Sequence, residues 1–212
     1  MKFMHIVALA LVVALFAVSF WASPLLPDKM ASHWNIEGDA DGHMAKGIGT
    51  YLMPIISLVL LAMFIILPII DPLRKNYKKF QKEYDGMIVV LIGFFLYIHL
   101  LSIGFNLGYS FNMTGLLAPA FAVLLYYLGI VISKAKRNWF VGIRTPWTLS
   151  SERVWKKTHK ITGKLFKLAG FVALIGIAYP SHGLMLAVGV LIAASVFSIV
   201  YSYLEFRKEK RR

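Results

Sequence analysis

The chain alternates between long uncharged stretches and short charged segments. Four stretches contain no Asp, Glu, Lys or Arg: 3–23, 47–70, 86–133 and 168–204. A helix needs roughly 20 residues to cross the hydrocarbon core of a bilayer. The two shorter stretches therefore predict one transmembrane helix each, and the two longer ones predict two helices each, joined by a short polar turn. The six predicted spans lie near residues 3–23, 48–70, 87–108, 114–133, 163–180 and 183–204.

These spans predict an all-α fold, a polytopic membrane helix bundle. The fifth span has few uncharged residues, so Lys164 and Lys167 would have to extend their ammonium groups towards the interface. A bundle of five helices remains open if that segment is re-entrant. The first span could instead be a signal peptide. Phe20 and Trp21 occupy positions where a signal peptidase requires small residues, so we expect a retained helix.

The distribution of charge along the chain predicts how the helix bundle is oriented in the membrane. The 212 residues are 58% hydrophobic and 16% charged, with a net charge of +13 that could suggest nucleic-acid binding. However, 21 of the 23 basic residues fall in the N-terminus and in segments 71–85, 134–167 and 205–212. Because loops rich in Lys and Arg stay in the cytoplasm, we expect both termini inside and the loop 24–46 outside. The excess predicts a bilayer as partner and no direct contact with nucleic acid.

The spans also suggest a division of the chain. Residues 1–72 form a predicted N-terminal helical hairpin with the extracytoplasmic loop 24–46. Residues 73–212 form a predicted four-helix membrane region with a large cytoplasmic loop, 134–167, and a basic C-terminal tail. Glycines at positions 93, 104, 108, 129, 170, 176 and 189 allow close approach between helices, and Gly104 and Gly108, four residues apart, are a small-residue pair suited to it. The absence of cysteine excludes disulfides and thiol chemistry.

The outer loop is dense in residues that favour turns, including Asn35, Gly38 and Asp41 followed by Gly42. It predicts a compact turn assembly with Trp34 at the membrane interface. A weaker alternative is a cation site. The set that would serve it is His33, Asp39, Asp41 and His43. The calcium-loop pattern lacks its closing Glu, so we expect a structural or peptide-recognition loop and no metal or other cofactor.

The inner loop divides into two parts. Through Leu149 it lacks helical periodicity, and a capped helix is predicted from Ser150 or Ser151. Trp155, His159 and Gly163 share one face of that helix, and basic residues occupy the others. The favoured interpretation is an interfacial helix on anionic lipid, with the tryptophans as anchors.

Arg144 lies among apolar neighbours within the same loop. This setting predicts a hydrogen-bonded or cation–π centre that holds the loop against the bundle. Three tryptophans within 17 residues of the loop indicate a more specific structure than a lipid patch requires.

The inner loop reads NWFVGIRTPWTL over residues 138–149, followed by Val154, Trp155, His159 and Gly163. This pattern resembles the signature of the SdpI-type immunity protein family. Residues 26–42, which read from Leu-Pro-Asp to Asp-Gly, are similar to the accessory domain often fused ahead of it. Together the two resemblances cover essentially the whole chain.

The resemblance implies a prokaryotic integral membrane protein that protects its cell against a secreted antimicrobial peptide toxin. It also implies a receptor that holds a small DNA-binding repressor at the membrane when toxin is present. The candidate toxin-facing residues are His33, Trp34, Asn35, Gly38, Asp41 and Gly42. The candidate residues for docking the inner partner are Asn138, Gly142, Arg144, Thr145, Pro146, Trp147, Trp155 and His159.

Two rival functions follow from the residues alone. His99 and Asn106 are polar groups at predicted membrane depth, so a small transporter or proton-linked channel is the alternative function. The predicted spans contain no acidic residue, which leaves such a path without a carboxylate relay. We expect no enzyme, because no recognisable set of nucleophile, base and orienting residue occurs.

Overall fold

The computed structural model describes residues 3–211, apart from the side chain of Ser181. Its helices are α1 Phe3–Ala22, α2 Lys46–Ile70, α3 Gln81–Asn106, α4 Met113–Lys134, α5 Pro146–Ser150, α6 Glu152–Ala173, α7 Ile175–Ala178 and α8 Pro180–Lys210. Two short 3-10 helices cover Ser23–Leu25 and Arg74–Lys79, and two strands cover β1 Lys29–Trp34 and β2 Ala40–Ala45.

Within these residues, six helical segments are long and apolar enough to cross a membrane. They are Phe3–Leu25, Lys46–Ile70, Gln81–Asn106, Met113–Lys134, Glu152–Ala178 and His182–Lys210. Many large apolar side chains on these helices face outwards, such as Val13, Val59 and Val123. Exposed apolar surface around a whole bundle is what a lipid environment requires. The prediction of a polytopic bundle of six spans is confirmed.

The bundle has two ends, and each collects a different kind of connection. The hairpin end consists of the β1–β2 segment, residues 23–45, and the α3–α4 turn, residues 107–112. The basic end consists of segments 71–80 and 135–151. His5 at the start of α1 lies 3.2 Å from Asp85, and Ser151 donates a 2.6 Å hydrogen bond to Glu209 near the end of α8. The first and last described residues therefore both lie at the basic end.

Helices α4 and α6 approach each other closely through glycine. A Cβ on Gly129 would lie 2.6 Å from the carbonyl oxygen of Gly163, and a Cβ on Gly163 would overlap Ser133 Oγ. Gly104 and Gly108 make no comparable contact, so the close approach predicted for that pair is wrong. Gly108 has a φ of +95° and ends α3 in a left-handed turn instead.

The all-α prediction is wrong for the outer loop, because β1 and β2 form an antiparallel hairpin within a mostly helical fold. Met30 pairs with Met44 and Trp34 with Ala40, with irregular register between them. The turn formers produce a tight turn between two six-residue strands. A single short ribbon is marginal in water, but here it packs on α2 and α3.

The predicted capped helix is confirmed, because α6 begins at Glu152 and the Ser151 hydroxyl accepts from the amide of Val154. Two other helix boundaries differ from the prediction. Helix α3 begins at Gln81, so it contains Glu83 and Asp85, and the expectation of spans without acid is wrong. The fifth span, Glu152–Ala178, combines α6 and α7 and is about 40 Å long at 1.5 Å per residue. It is therefore long enough without a re-entrant segment. Helix α8 continues to Lys210, so the predicted basic tail is helical.

Candidate functional site

A groove of about 540 Å³ opens at the hairpin end. One wall is the hairpin itself, from Ser32 to Ile36. The other wall combines residues of α3, α4 and α8: Ile98, Met113, Thr114, Leu117, Leu184, Met185 and Val188. A ligand in the groove would therefore meet polar groups on one side and a mostly apolar surface on the other. It contains His33, Trp34 and Asn35, three of the predicted toxin-facing residues.

Trp34 connects the hairpin to α3. Its ring meets the ring of Phe105 edge to face, with centroids 5.4 Å apart. Its indole Nε1 is buried and has no hydrogen-bond partner among the described residues. Trp34 therefore lines the groove with its ring and packs the hairpin against α3, while its N–H group is enclosed by protein atoms.

The turn of the hairpin is fixed by hydrogen bonds to α4. Asn35 Oδ1 accepts from the amide of Asp39, and Gly38 has a φ of +92°. Asn112 Nδ2 donates a 2.7 Å bond to the carbonyl of Glu37, and a Cβ on Gly38 would press against the Asn112 side chain. The Thr114 hydroxyl donates to Asn35 O at 3.2 Å. Gly38 therefore has a structural role in seating the turn.

His33 and Asp41 form an exposed pair, with Nδ1 and Oδ1 2.5 Å apart. Gly42 lies opposite His33 in the ladder, and a Cβ there would be 2.8 Å from the Cβ of His33. The described residues include no group of three or more His, Cys, Asp or Glu that could hold a metal ion. The pair belongs to the surface of the hairpin next to the groove.

Asn106 is the last residue of α3, and its side chain holds β1. Its Oδ1 accepts from the amide of Ala31 at 2.7 Å, and its Nδ2 donates to the carbonyl of Ala31 at 3.0 Å. The predicted intramembrane polar group is thus an attachment point for the hairpin. The sequence pattern placed Asn106 within the membrane together with His99. In the structure α3 ends at Asn106 and the chain turns there.

His99 is fully buried within the bundle and lies between helices. Its Nε2 is 2.9 Å from Ser19 Oγ, which donates at 2.7 Å to the carbonyl of Thr50. Since the serine proton is used for that carbonyl, Nε2–H donates and Nδ1 carries the lone pair. Nδ1 has no partner among the described residues. The arrangement is a hydrogen-bonded link between α1, α2 and α3.

At the basic end, Asn138 organises the loop after α4. It is fully buried, and its Nδ2 donates to the carbonyls of Lys136 and Val141 at 2.8 and 2.9 Å. Its Oδ1 accepts from the amides of Phe140 and Val141 at 2.9 and 2.6 Å, and from the Tyr77 hydroxyl at 3.2 Å. Burial raises the pKa of Tyr77, so its hydroxyl remains a donor. The hydrogen bonds of this one side chain therefore stabilise a loop segment that forms no helix or strand.

Residues between α2 and α3 hold the same loop from the other side. Asp71, nearly fully buried, accepts from the amide of Leu73 at 2.6 Å and from the amide of Trp139 at 2.9 Å. Arg144 Nη1 donates a 2.7 Å bond to the carbonyl of Trp139. Arg144 is otherwise exposed. The prediction allowed either a hydrogen-bonded or a cation–π contact for this side chain, and the structure has the hydrogen bond. That bond joins two residues of the loop and does not attach the loop to the bundle.

Gly142, Trp155 and His159 form one closely packed unit. His159 Nδ1 lies 2.8 Å from the Trp155 carbonyl, and Nε2 accepts from the Ile143 amide at 3.0 Å, so Nδ1 carries the proton. The two rings stack with centroids 3.8 Å apart. Gly142 has a φ of +120°, and a Cβ there would overlap His159 Nε2.

The α6 face that carries this unit packs on protein. Trp155 is only 3% exposed, and its Nε1 donates to the carbonyl of Ala135 at 2.9 Å. The interpretation of this face as a lipid-facing anchor is therefore wrong. The helical period identifies an apolar face, and here α4 covers that face, because Gly129 and Gly163 allow the close approach.

Thr145 and Pro146 start the short helix α5. Thr145 and Thr148 form a capping box, with the amide of Thr145 donating to Thr148 Oγ1 at 2.9 Å. Thr145 Oγ1 also lies 3.1 Å from Ser202 Oγ, and Trp147 packs on Tyr203 of α8 with ring centroids 5.1 Å apart. These predicted docking residues therefore attach α5 to α8.

Sequence reasoning missed several residues of these sites. Asp71, Tyr77 and Thr148 support the inner loop, Asn112 supports the hairpin turn, and Glu205 pairs with Lys157. Asp71 directly follows an uncharged stretch and precedes Pro72, which is a signal for a capped turn. Thr148 follows Thr145 by three residues, the spacing of a capping box, which is also a local signal. Tyr77, Asn112 and Glu205 lie far along the chain from their partners and carry no local signal.

The fold and the two sites define a class: a six-span membrane protein with a β-hairpin groove at one end and an ordered basic loop at the other. Residues 134–202 match the model of the SdpI/YfhL protein family, and residues 10–58 match a domain of unknown function, DUF1648. The chain is 23% identical over 205 residues to the immunity protein SdpI of Bacillus subtilis (strain 168), covering 96% of each chain. No solved structure matches.

The match to the SdpI/YfhL protein family covers the C-terminal part of the chain, and the likeness to the immunity protein SdpI extends over nearly all of it. The family match, 134–202, contains all eight of the predicted inner docking residues, from Asn138 to His159. The DUF1648 match, 10–58, contains the whole hairpin and all six predicted toxin-facing residues. The hairpin and the inner loop therefore lie within segments that recur in other proteins, whereas the α3 and α4 residues of the groove lie outside the two matches.

Proposed function

We propose that this chain is a membrane immunity protein, which protects the cell that carries it against a secreted antimicrobial peptide. The observation that carries the proposal is the likeness to the immunity protein SdpI, which extends over 96% of both chains. A match of that extent includes the hairpin, the six spans and the basic loop. The proposal assigns binding to the protein and no chemical step.

The groove at the hairpin end supports a peptide as the ligand. The wall formed by the hairpin carries His33, Trp34 and Asn35, while the other wall is mostly apolar. A peptide that acts on membranes is amphipathic and would bury its apolar face against α4 and α8. The predicted residues His33, Trp34 and Asn35 would contact it, and Gly38 and Gly42 would shape the hairpin that presents them.

The orientation in the bilayer is part of the proposal. The basic end consists of parts of segments 71–85 and 134–167, and these two segments together with the N-terminus and 205–212 hold 21 of the 23 Lys and Arg residues of the sequence. Under the positive-inside rule this end lies in the cytoplasm with both termini, and the hairpin end faces a toxin arriving from outside.

A killing assay tests the immunity proposal. Cells that express the protein are challenged with the cognate peptide, found by screening peptides encoded near the gene. We expect survival with the wild type, loss of survival with Trp34→Ala, and survival with the matched control Trp21→Ala. Trp21 is an exposed tryptophan near the hairpin end, outside the groove. Equal killing of cells with and without the wild-type protein would exclude the immunity role.

We further propose that the basic end receives a small DNA-binding repressor when toxin occupies the groove. Helices α4 and α8 contribute to both sites: each lines the groove, and α8 also contacts α5 through Ser202 and Tyr203. A ligand that favours one arrangement of these helices would thereby change the affinity of the loop. The exposed guanidinium of Arg144 is available to an acidic surface of the repressor.

The signalling half has a separate test. The repressor encoded near the gene is fused to a fluorescent protein, and its location is measured before and after addition of toxin. We expect toxin to move it to the membrane in wild-type cells and in cells with Arg153→Ala, but not with Arg144→Ala. A repressor that stays in the cytoplasm of toxin-treated wild-type cells would contradict signalling and leave immunity unaffected.

A further inference from the structure

A second cavity, of about 460 Å³, lies at the basic end. It lies between the end of α4, the start of α6 and the 3-10 helix Arg74–Lys79. Six of its lining side chains are basic: Lys79, Lys134, Lys136, Arg137, Lys156 and Lys160. Glu152 is its one acidic lining residue. The cavity is separate from the groove at the hairpin end. Trp155 and His159 of the predicted docking set also line it, but the proposal below does not depend on a repressor.

The charges in this cavity are not neutralised by the protein. None of its five lysines has a carboxylate within ion-pair distance among residues 3–211. Elsewhere on α6 the pattern differs, because Lys157 pairs with Glu205. Cations that share one concave surface repel each other, and an anion placed between them removes that repulsion.

Arg137 is the most specific feature of the cavity. Its Nη1 donates to the carbonyl of Leu149 at 3.1 Å, which fixes the guanidinium, and Asn76 Nδ2 donates to the carbonyl of Arg137 at 2.7 Å. Its Nε is buried and has no partner among the described residues. Because Nε is enclosed by protein, a phosphate in the cavity would contact the outer N–H groups of this fixed guanidinium.

We propose that this cavity binds a phosphate group, with Arg137 as the fixed donor and the surrounding lysines as the counter-charge. The end of α4 at Lys134 and the start of the span at Glu152 both border it, so it lies where lipid headgroups meet the bundle. The phosphate of an anionic phospholipid headgroup reaches this position from the bilayer, and free phosphate reaches it from solution.

The test compares two triple variants of the full-length protein with the same change in net charge. The pocket variant is Lys134→Gln, Lys156→Gln and Lys160→Gln. The control variant is Lys75→Gln, Lys78→Gln and Arg153→Gln, three exposed residues that lie outside the cavity. Thermal unfolding in detergent checks that both variants fold.

One arm tests lipid. Protein is released from nanodiscs that contain phosphatidylglycerol and phosphatidylcholine in equal amounts, and native mass spectrometry counts the retained lipids. The other arm tests free phosphate, by calorimetric titration of inorganic phosphate into protein in phosphatidylcholine nanodiscs. In the arm that supplies the ligand, we expect binding to weaken about tenfold in the pocket variant and less than twofold in the control.

The possible results distinguish a lipid headgroup from free phosphate, and both from nonspecific attraction. Preferential retention of phosphatidylglycerol, lost in the pocket variant, supports the lipid headgroup as the source. Binding of inorganic phosphate, lost in the same variant, supports free phosphate. Equal weakening in both variants would mean diffuse attraction to net charge and would overturn the proposal. So would a wild-type protein that neither prefers phosphatidylglycerol nor binds phosphate.

Discussion

Replacing Asn138 by alanine removes five hydrogen bonds from one buried side chain. Two are donated to the carbonyls of Lys136 and Val141, and three are accepted from Phe140, Val141 and Tyr77. A hydrogen bond contributes about 1 kcal/mol net, and some of the freed backbone groups lie close enough to the surface to bind water instead. We therefore expect the loop to lose about 3 kcal/mol of local stability, roughly a hundredfold in its opening equilibrium.

Hydrogen exchange followed by mass spectrometry measures this loss directly. The peptide that covers residues 139–143 contains the amides of Phe140 and Val141, which bond to Asn138, and the amide of Ile143, which bonds to His159. We expect its exchange to become about a hundredfold faster in Asn138→Ala. A peptide from the hairpin end serves as the internal reference and should not change.

Asn76→Ala is the matched control, because it removes a single hydrogen bond to the same loop, at the carbonyl of Arg137. We expect less than a tenfold acceleration from it. If Asn138→Ala accelerates exchange by no more than Asn76→Ala does, the loop is held by other contacts and the reasoning from Asn138 is refuted.

Further predictions concern a glycine, the hairpin and the buried histidine. Gly142→Ala should lower the free energy of unfolding in detergent by about 2 kcal/mol or more, because the added Cβ would overlap His159 and the φ of +120° is strained for alanine. The control Gly47→Ala has open space around the added Cβ and should leave the free energy of unfolding unchanged. Asn106→Leu removes both bonds to Ala31 and should accelerate exchange in β1 roughly thirtyfold, whereas unchanged exchange would show that Asn106 does not hold the strand. His99→Ala should leave ion flux into proteoliposomes unchanged, and flux that depends on His99 would favour the transport alternative.

The spans were predictable because they depend on a local property, a run of about 20 residues without charge. Their ends were less predictable, since charged residues such as Glu83 and Asp85 can continue a helix once partners are present. Asp85 accepts from Gln81 Nε2 at 2.7 Å and lies close to His5, which is 80 residues away. Sequence gives no sign of that second contact.

The sequence predicted which residues share a helix face, but not which residues they contact. The pattern identified Trp155, His159 and Gly163 as one face of a helix, and they do share a buried face. What covers that face was not predictable, because helical period is the same for a face against lipid and for a face against another helix. The hairpin was missed for a related reason: Asn106, 75 residues from Ala31, supplies the bonds that make so short a strand stable.

The two bonds from Asn106 have a consequence for how the hairpin can recognise a peptide. An exposed strand edge offers its free amides and carbonyls to any extended chain, which can join as an additional strand. At Ala31 the N–H and the carbonyl that point away from β2 are both occupied by one side-chain amide. That edge of β1 is therefore closed to strand addition at Ala31, and selectivity for a peptide must come from its side chains in the groove.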